Sequence, residues 1–402
     1  MANVAVMGFG TVGSGVYEIL KQNAEHIAGK AGEEVKVKYI LDIRDFDDHP
    51  EKQLFTKNFA DIAGDASVST VVEVMGGLHP AYEYTKELLE NGKSVITSNK
   101  ELVATHGTEL LEIAEKHNTN YFFEASVGGG IPIIRPMHQC LAANEIEKIA
   151  GILNGTTNYI LTQMIEKGKS FGDALTDAQN KGYAERNPAA DVEGHDACRK
   201  IAILASLASG KFVDYKDIPT EGITEITLED VRYADSMDCV VKLIGYAEIS
   251  GGKVMARVCP MIIPRTVPLS DVDDVFNAIM IHGNMVGDVM MYGRGAGMLP
   301  TASAVVADVI DAVKHSNVPK HLTWTAAEEN IMLDGDEKQT VMFIRTLAGA
   351  DAVRREFADA EFVDNIVDEE TAFLTPKLSE KEIRSRLDKI GDIVSGLRVL
   401  EI

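Results

Sequence analysis

Six residues near the start of the chain constrain its fold more than any other feature: Gly8-Phe9-Gly10-Thr11-Val12-Gly13. They follow a short apolar run, Asn3-Val4-Ala5-Val6-Met7, and open a helical pattern from Thr11 to Ala28. In a strand–turn–helix setting the first glycine allows a tight turn, the second lets a phosphate approach the backbone, and the third lets helix and strand pack closely. The helix N-terminus adds free N–H groups and a partial positive charge aimed at an anion. The segment therefore reads as a dinucleotide-binding turn, with Gly8, Phe9, Gly10, Thr11, Val12 and Gly13 against the pyrophosphate.

The rest of the first third keeps the same rhythm. Strands are expected at Val35 to Ile43, Val68 to Val74, Ser94 to Thr97 and Tyr121-Phe122-Phe123. Helices are expected at Pro80 to Asn91 and Lys100 to His117, and Gly76-Gly77 ends the third strand. Strands spaced by helices of this length imply parallel βαβ units in a Rossmann-type, doubly wound α/β sheet. Gly76 then lies at the cofactor edge of that sheet.

The pattern changes near Ile131. A strand is expected at Glu145 to Leu153, then helices at Thr156 to Ile165, Gly172 to Lys181 and Asp191 to Ser209. Longer β segments follow at Lys253 to Ile263, Asn277 to Ile281 and Gly287 to Tyr292. This reads as a second, α+β domain over 132–297, supplying substrate groups and a dimer contact. A second glycine loop, Gly293 to Gly297, leads into a helix at Thr301 to Val313, and residues 298–318 are expected to return to the first domain, 1–131. Residues 313–336, with Pro319 and the single tryptophan Trp324, read as a linker. The tail, 338–402, reads β-α-β-β-α-β, the split βαβ (ferredoxin-like) order of a small module. Its parts are Thr340 to Arg345, Asp351 to Phe357, Phe362 to Val367, Ala372 to Pro376, Glu380 to Ile390 and Leu397 to Ile402.

Bulk properties narrow the function. The 402 residues suit two or three domains, and 45% hydrophobic residues supply ample core. A net charge of −23 repels phosphate backbones and anionic lipid, so nucleic acid and membrane surfaces are excluded as main partners. Four cysteines without a CxxC pair, no signal-peptide pattern and no apolar span point to a reduced, cytoplasmic protein.

Two places carry chemistry. The second strand ends Leu41-Asp42-Ile43-Arg44-Asp45. An acid there suits the ribose of NAD and an arginine suits the 2′-phosphate of NADP, so Asp42 and Arg44 leave the choice between NAD and NADP open. Further on, Asp196 and Lys200 stand four apart on a helix face that continues through Ile203, Leu204 and Leu207. That face points inward, where an acid–lysine pair is unusual because buried charges are costly unless paired. An ordinary solvent-facing i,i+4 pair remains the alternative at this point.

The wider sequence around that pair resembles homoserine dehydrogenase. The chain carries Asn154-Gly155-Thr156-Thr157-Asn158-Tyr159, similar to the family's N-G-T-T-N-[FY]. It then carries Gly182-Tyr183-Ala184-Glu185-Arg186-Asn187-Pro188 through Asp191, Gly194, Asp196 and Lys200, similar to G-Y-[AT]-E-x-D-P-x-x-D-x-x-G-x-D-x-x-x-K. Asn187 stands where the family has aspartate. The resemblance implies that Glu185 and Asp196 bind the amino group of homoserine, that Asp191 supports them, and that Lys200 is the acid/base. Thr97-Ser98-Asn99-Lys100 resembles T-x-N-K, which implies a second catalytic lysine, Lys100, beside the nicotinamide and the reacting oxygen. Glu124-Ala125-Ser126-Val127-Gly128-Gly129-Gly130-Ile131-Pro132 resembles a loop whose carbonyls, here Glu124, Val127, Gly129 and Ile131, hold a monovalent cation such as Na⁺ or K⁺. The Gly293–Gly297 loop, with Gly295, resembles one near the cofactor.

The implied reaction is the reversible, NAD(P)-dependent reduction of L-aspartate 4-semialdehyde to L-homoserine, in threonine, methionine and isoleucine biosynthesis. The acids beside Lys200 favour its cation, so it is expected to serve as proton donor in aldehyde reduction. The tail resembles an ACT regulatory module in its element order, although Leu347-Ala348-Gly349-Ala350-Asp351 replaces the usual turn. An amino-acid effector such as threonine, or a dimer-stabilising role without a ligand, are both implied. A homo-oligomer, at least a dimer, is expected.

Overall fold

The computed structural model describes residues 1–401 except 317, 319, 321, 329 and 330. The chain divides into two compact units. The first comprises residues 1–145, 202–215 and 291–329, and the second 146–201, 216–290 and 330–402.

The first unit is built on six parallel strands: β1 (Ala2–Met7), β2 (Val35–Leu41), β3 (Phe55–Thr56), β4 (Val68–Glu73), β5 (Ser94–Thr97) and β6 (Tyr121–Phe122). Their order, β3-β2-β1-β4-β5-β6, is that of a Rossmann sheet, and the order reverses between β1 and β4. Val4, Val6, Val71, Val72 and Ile96 are fully buried, as a sheet covered on both faces requires. The helices are α1 (Thr11–Gln22), α2 (Ala24–Ala31), α3 (Ala60–Ala63), α4 (Ala81–Glu90) and α5 (Lys100–Lys116). The single helix expected from Thr11 to Ala28 is thus two, because Asn23 leaves helical angles (φ −104°, ψ 21°).

The second unit begins with β7 (Ile146–Ile152), α6 (Gly155–Lys167), α7 (Phe171–Asn180) and α8 (Ala189–Val192). Next comes α9 (His195–Ser209), whose last turns belong to the first unit. The helix expected from Asp191 is interrupted at Gly194, which adopts φ +84°. Like β3 and α3 of the first unit, α10 (Leu228–Ser236), closed by a Thr227/Asp230 capping box, and β8 (Cys239–Ser250) have no counterpart in the sequence-based expectation. Strand β8 is buried along most of its length, so it shows no alternation to reveal it. The strands β9 (Lys253–Pro264), β10 (Phe276–Gly283) and β11 (Gly287–Arg294) follow.

The long helix α11 (Met298–Lys314) belongs to the first unit and packs on α1 where Gly15 meets Ala302 and Met298. Trp324 does not lie in a loose linker. It is 4% exposed, its ring packs against Phe123 at 5.6 Å and its indole N–H donates to Thr108 Oγ1 at 2.9 Å. Pro319 and Ile402 fall outside the described residues.

The tail contributes β12 (Gln339–Thr340), β13 (Met342–Thr346), α12 (Ala350–Glu356), β14 (Glu361–Val363), β15 (Thr371–Leu374), β16 (Leu378–Ser379), α13 (Glu380–Ile390) and β17 (Ile393–Val399). The order β17-β13-β15-β14, antiparallel throughout, is the ferredoxin-like arrangement, with Ile344, Val353, Phe357, Phe373 and Ile383 buried at its core. Strand β17 also pairs in parallel with β9, at Arg398 with Met261 and Val399 with Ile262. The tail therefore extends one nine-stranded sheet, β11-β10-β7-β8-β9-β17-β13-β15-β14.

Candidate active site

The glycine turn after β1 has the geometry its sequence requires. Gly8 has φ +96°, and a Cβ on Gly13 would stand 1.9 Å from the Gly8 carbonyl oxygen. A Cβ on Gly10 would meet nothing within 4 Å, and no side chain caps α1 there. The turn is closed on its inner side and open at Gly10, Thr11 and the helix N-terminus, which fits a pyrophosphate. The Phe9 ring is turned away, packing edge-on against Phe46 and Phe55 at 5.3 and 5.0 Å.

The acid and the arginine after β2 form one assembly. Asp42 accepts from Phe9 N–H at 2.8 Å and from Arg44 Nε at 2.9 Å. Arg44 also donates to the Phe9 carbonyl at 2.8 Å. The Arg44 guanidinium, helped by backbone N–H groups, holds the Asp42 carboxyl well below the usual carboxylate range. Asp42 is 7% exposed at its side chain and Arg44 57%. The acid pins the turn, and the cation faces outward.

At the ends of β4 and β5 a second network appears. Glu73, fully buried, accepts from Met75 N–H at 2.8 Å and from Thr97 Oγ1 at 2.6 Å. Thr97 Oγ1 accepts from Asn99 N–H at 2.8 Å, and Asn99 Nδ2 donates to the Gly77 carbonyl at 2.6 Å. Asn99 Oδ1 caps α5 by accepting from Leu102 N–H at 3.1 Å, which places Lys100 at the first helical position. Burial pushes the Glu73 carboxyl up, against these donors.

The loop from Glu124 is held at its base. The Glu124 carboxylate accepts from the backbone N–H groups of Ile133, Ile134 and Arg135 at 2.6–2.8 Å. Asp308 on α11 accepts from Glu124 N–H at 2.9 Å and pairs with Arg135. Gly129 approaches Gly295 so closely that a Cβ there would lie 2.1 Å from the Gly295 carbonyl oxygen. The carbonyls of Val127, Gly129 and Ile131 accept no hydrogen bond among the described residues. Neutral oxygens left in this state suit a hard cation.

In the second unit, Asn154, Asp191, Asp196 and Lys200 converge. Lys200 Nζ donates to Asp196 Oδ2 at 2.8 Å and to the Leu153 carbonyl at 2.7 Å. Lys200 is 7% exposed and Asp196 4%. The pair is inward, not solvent-facing. Asn154 Nδ2 donates to both Asp191, at 2.7 Å, and Asp196, at 2.9 Å. Its Oδ1 caps α6 through Thr157 N–H at 2.9 Å. Burial, with the Asp196 charge adding to it, pushes the Asp191 carboxyl up, against the Asn154 bond. Glu185 lies on an exposed stretch tied down by Thr156 Oγ1 to the Tyr183 carbonyl and by Gln179 Nε2 to its own carbonyl. Asn187, the departure from the family signature, accepts weakly from Ala189 N–H at 3.5 Å, a local turn bond.

The structure thus brings Asp191, Asp196 and Lys200 together and leaves the Glu185 side chain exposed. Sequence reasoning missed Asn154 and Glu73 as site residues. Asn154 was readable as a helix cap, but nothing in sequence pairs it with two acids 37 and 42 residues away.

Comparison with known proteins gives concordant results. A family model for homoserine dehydrogenase matches residues 132–310, and one for the homoserine dehydrogenase NAD-binding domain matches residues 8–124. The homoserine dehydrogenase of Neisseria gonorrhoeae is 37% identical over 415 aligned positions, covering 96% of this chain and 94% of that protein. The chain belongs to the homoserine dehydrogenase family. A crystal structure of the Thiobacillus denitrificans homoserine dehydrogenase superposes with a TM-score of 0.91 at 36% identity, covering 100% of this chain and 98% of that one. A hyperthermophilic archaeal homoserine dehydrogenase mutant, solved in complex with NADPH, gives a TM-score of 0.66 at 30% identity over 77% of this chain and 97% of that one. The chain is an NAD(P)-dependent oxidoreductase with the family's reaction, reduction of L-aspartate 4-semialdehyde to L-homoserine and its reverse. Among the described residues no helix is long and apolar enough to cross a membrane.

Proposed function

We propose that Lys200 is the proton-transfer residue and that Asp191, Asp196 and Glu185 receive the ammonium group of the amino-acid substrate. The carrying observation is the buried Asp196–Lys200 pair at 2.8 Å, cross-braced to Asp191 by Asn154. A carboxylate and a carbonyl at that range favour the ammonium form, so Lys200 is poised to donate a proton to the carbonyl oxygen of the aldehyde. In the reverse direction it would need to shed that proton first, a less favourable start.

The turn at Gly8, Phe9, Gly10, Thr11, Val12 and Gly13 would hold the pyrophosphate, Arg44 the adenosine ribose end, and Gly76, Lys100 and Gly295 the nicotinamide end. The bound nicotinamide supplies or accepts the hydride. Lys100, at the N-terminus of α5, is mildly disfavoured by the helix dipole, a cost that a bound anionic group would relieve. The carbonyls of Glu124, Val127, Gly129 and Ile131 would hold Na⁺ or K⁺, which stiffens a loop already braced by Asp308 and Arg135.

We infer three parts: a dinucleotide domain, 1–131 with 298–318, a substrate and dimerisation domain, 132–297, and an ACT-like module, 338–402. We infer a cytoplasmic protein that is at least a dimer, associating through the middle part. The ferredoxin-like order of the tail supports either amino-acid feedback, by threonine for example, or a ligand-free supporting role.

Absorbance at 340 nm, with homoserine and each oxidised nicotinamide in turn, tests the reaction; no change with either would end it. Lys200→Ala tests the role. Turnover at saturating semialdehyde is expected to fall about 10²–10⁴-fold, with cofactor affinity held within about twofold of wild type. Near-normal turnover would refute the assignment.

A further inference from the structure

We propose that Glu73 is a positioning residue for the reaction, fixing the Gly76–Gly77 turn and the Thr97–Lys100 turn relative to each other so that Lys100 is presented at a set reach. The proposal rests on the reading that Lys100 and Gly76 face the nicotinamide end of the cofactor.

The bonds around Glu73 form a closed ring. One carboxylate oxygen accepts from Met75 N–H at 2.8 Å and the other from Thr97 Oγ1 at 2.6 Å. Thr97 Oγ1 accepts from Asn99 N–H at 2.8 Å. Asn99 Nδ2 donates to the Gly77 carbonyl at 2.6 Å, which returns the path to Met75 through Gly76. Two loops that leave different strands are lashed together by one side chain at each crossing. Asn99 then starts α5 by capping Leu102 N–H, so the position of Lys100 follows from the ring.

The choice of residue argues for more than packing. Glu73 ends β4 after Val71 and Val72, all three fully buried. An apolar side chain would fill that place without a desolvation cost. A carboxylate survives there only by collecting donors, and those donors come from both loops. The left-handed glycines of the turn, Gly76 at φ +79° and Gly77 at φ +71°, have nothing within 4 Å of a notional Cβ, so the turn presents an open face on one side and the Glu73 ring on the other.

The test compares Glu73→Ala, Glu73→Gln and Thr97→Val with wild type. Hydrogen–deuterium exchange is measured on the ligand-free proteins, dissociation constants by reduced-nicotinamide fluorescence, and kcat and KM with homoserine. In Glu73→Ala, peptides covering 74–78 and 98–103 should exchange about tenfold faster, a loss typical of broken local bonds. Its kcat should fall about 10²-fold, the size expected for an ångström-scale misplacement, with KM for homoserine within about threefold. Glu73→Gln keeps an acceptor for Met75 N–H and can donate to Thr97 Oγ1, so it should recover to within about tenfold of wild type. Thr97→Val breaks the same ring without touching the acid and should move the same quantities in the same direction. Folded Glu73→Ala with wild-type kcat and unchanged exchange would overturn the proposal. Should that variant fail to fold, Thr97→Val with wild-type kcat overturns it instead. Failure of the underlying reading is separate: Lys100→Ala would then keep wild-type kcat and cofactor affinity, whereas the exchange data would still report the ring.

Discussion

Replacing Asn154 isolates what holds the two acids in place. Its side chain makes four bonds, accepting from Thr157 N–H and Thr157 Oγ1 and donating to Asp191 and Asp196, and the residue is 6% exposed. The cap bond is worth about 1 kcal/mol. A hydrogen bond to a charged group is worth about 1.5–3 kcal/mol, and the lower end applies because Asp191 is only partly buried. Asn154→Ala should therefore cost about 4 kcal/mol. Asn154→Ser keeps a cap and should recover about 1 kcal/mol of that, leaving about 3 kcal/mol for the two carboxylate bonds. With the brace gone, two carboxyls repel each other beside Lys200, and kcat/KM for homoserine should fall about 10²-fold, while the dissociation constant for reduced cofactor stays unchanged. Urea unfolding gives the stabilities, and steady-state absorbance at 340 nm the rates. The reasoning fails if Asn154→Ala and Asn154→Ser differ from wild type only by the value of a cap, or if kcat/KM moves less than about threefold.

Other outcomes follow from named contacts. Gly13→Ala collides with the Gly8 carbonyl, so its melting temperature should drop, whereas Gly10→Ala meets no atom and should keep its stability while losing cofactor affinity in a fluorescence titration. Burial pushes the Asp308 carboxyl up to about 7, against the pull of Arg135. The native state then holds a proton that the unfolded chain releases near its ordinary value, so stability should fall as pH rises from about 4 to about 7, by up to about 1.4 kcal/mol per pH unit. Asp308→Asn should flatten that slope in melting temperatures taken across the range, and an unchanged slope would remove Asp308 as its source. Arg44→Ala should raise KM for NADP about tenfold or more, the value of a charge-assisted bond, and KM for NAD much less. Equal effects on both would show that Arg44 serves only to brace Asp42.

Much of this could be read from the sequence because the information is local. The turn at Gly8–Gly13, the strands β1, β2, β4, β5 and β6 with helices α4 and α5, and helix α13 at Glu380–Ile390 follow from glycine placement and periodicity. The inward direction of the Asp196–Lys200 pair follows from its apolar helix face, and the structure agrees, at 4% and 7% exposure. Boundaries failed where a single residue overrides a longer pattern, at Asn23 and at Gly194. Strand β8 failed for another reason: burial on both faces erases alternation.

The sequence by itself determined that this chain forms a Rossmann unit, because spacing along one turn or one helix fixes neighbours, and its resemblance to the homoserine dehydrogenase motifs marked which acids and lysines belong to the signature. Tertiary structure alone decided that Asn154 bridges Asp191 and Asp196, that Glu73 ties two loops into a ring, and that the tail continues the sheet through β17 and β9. Each of these joins groups far apart in the chain, and such meetings are set by how the elements pack, which no local pattern encodes.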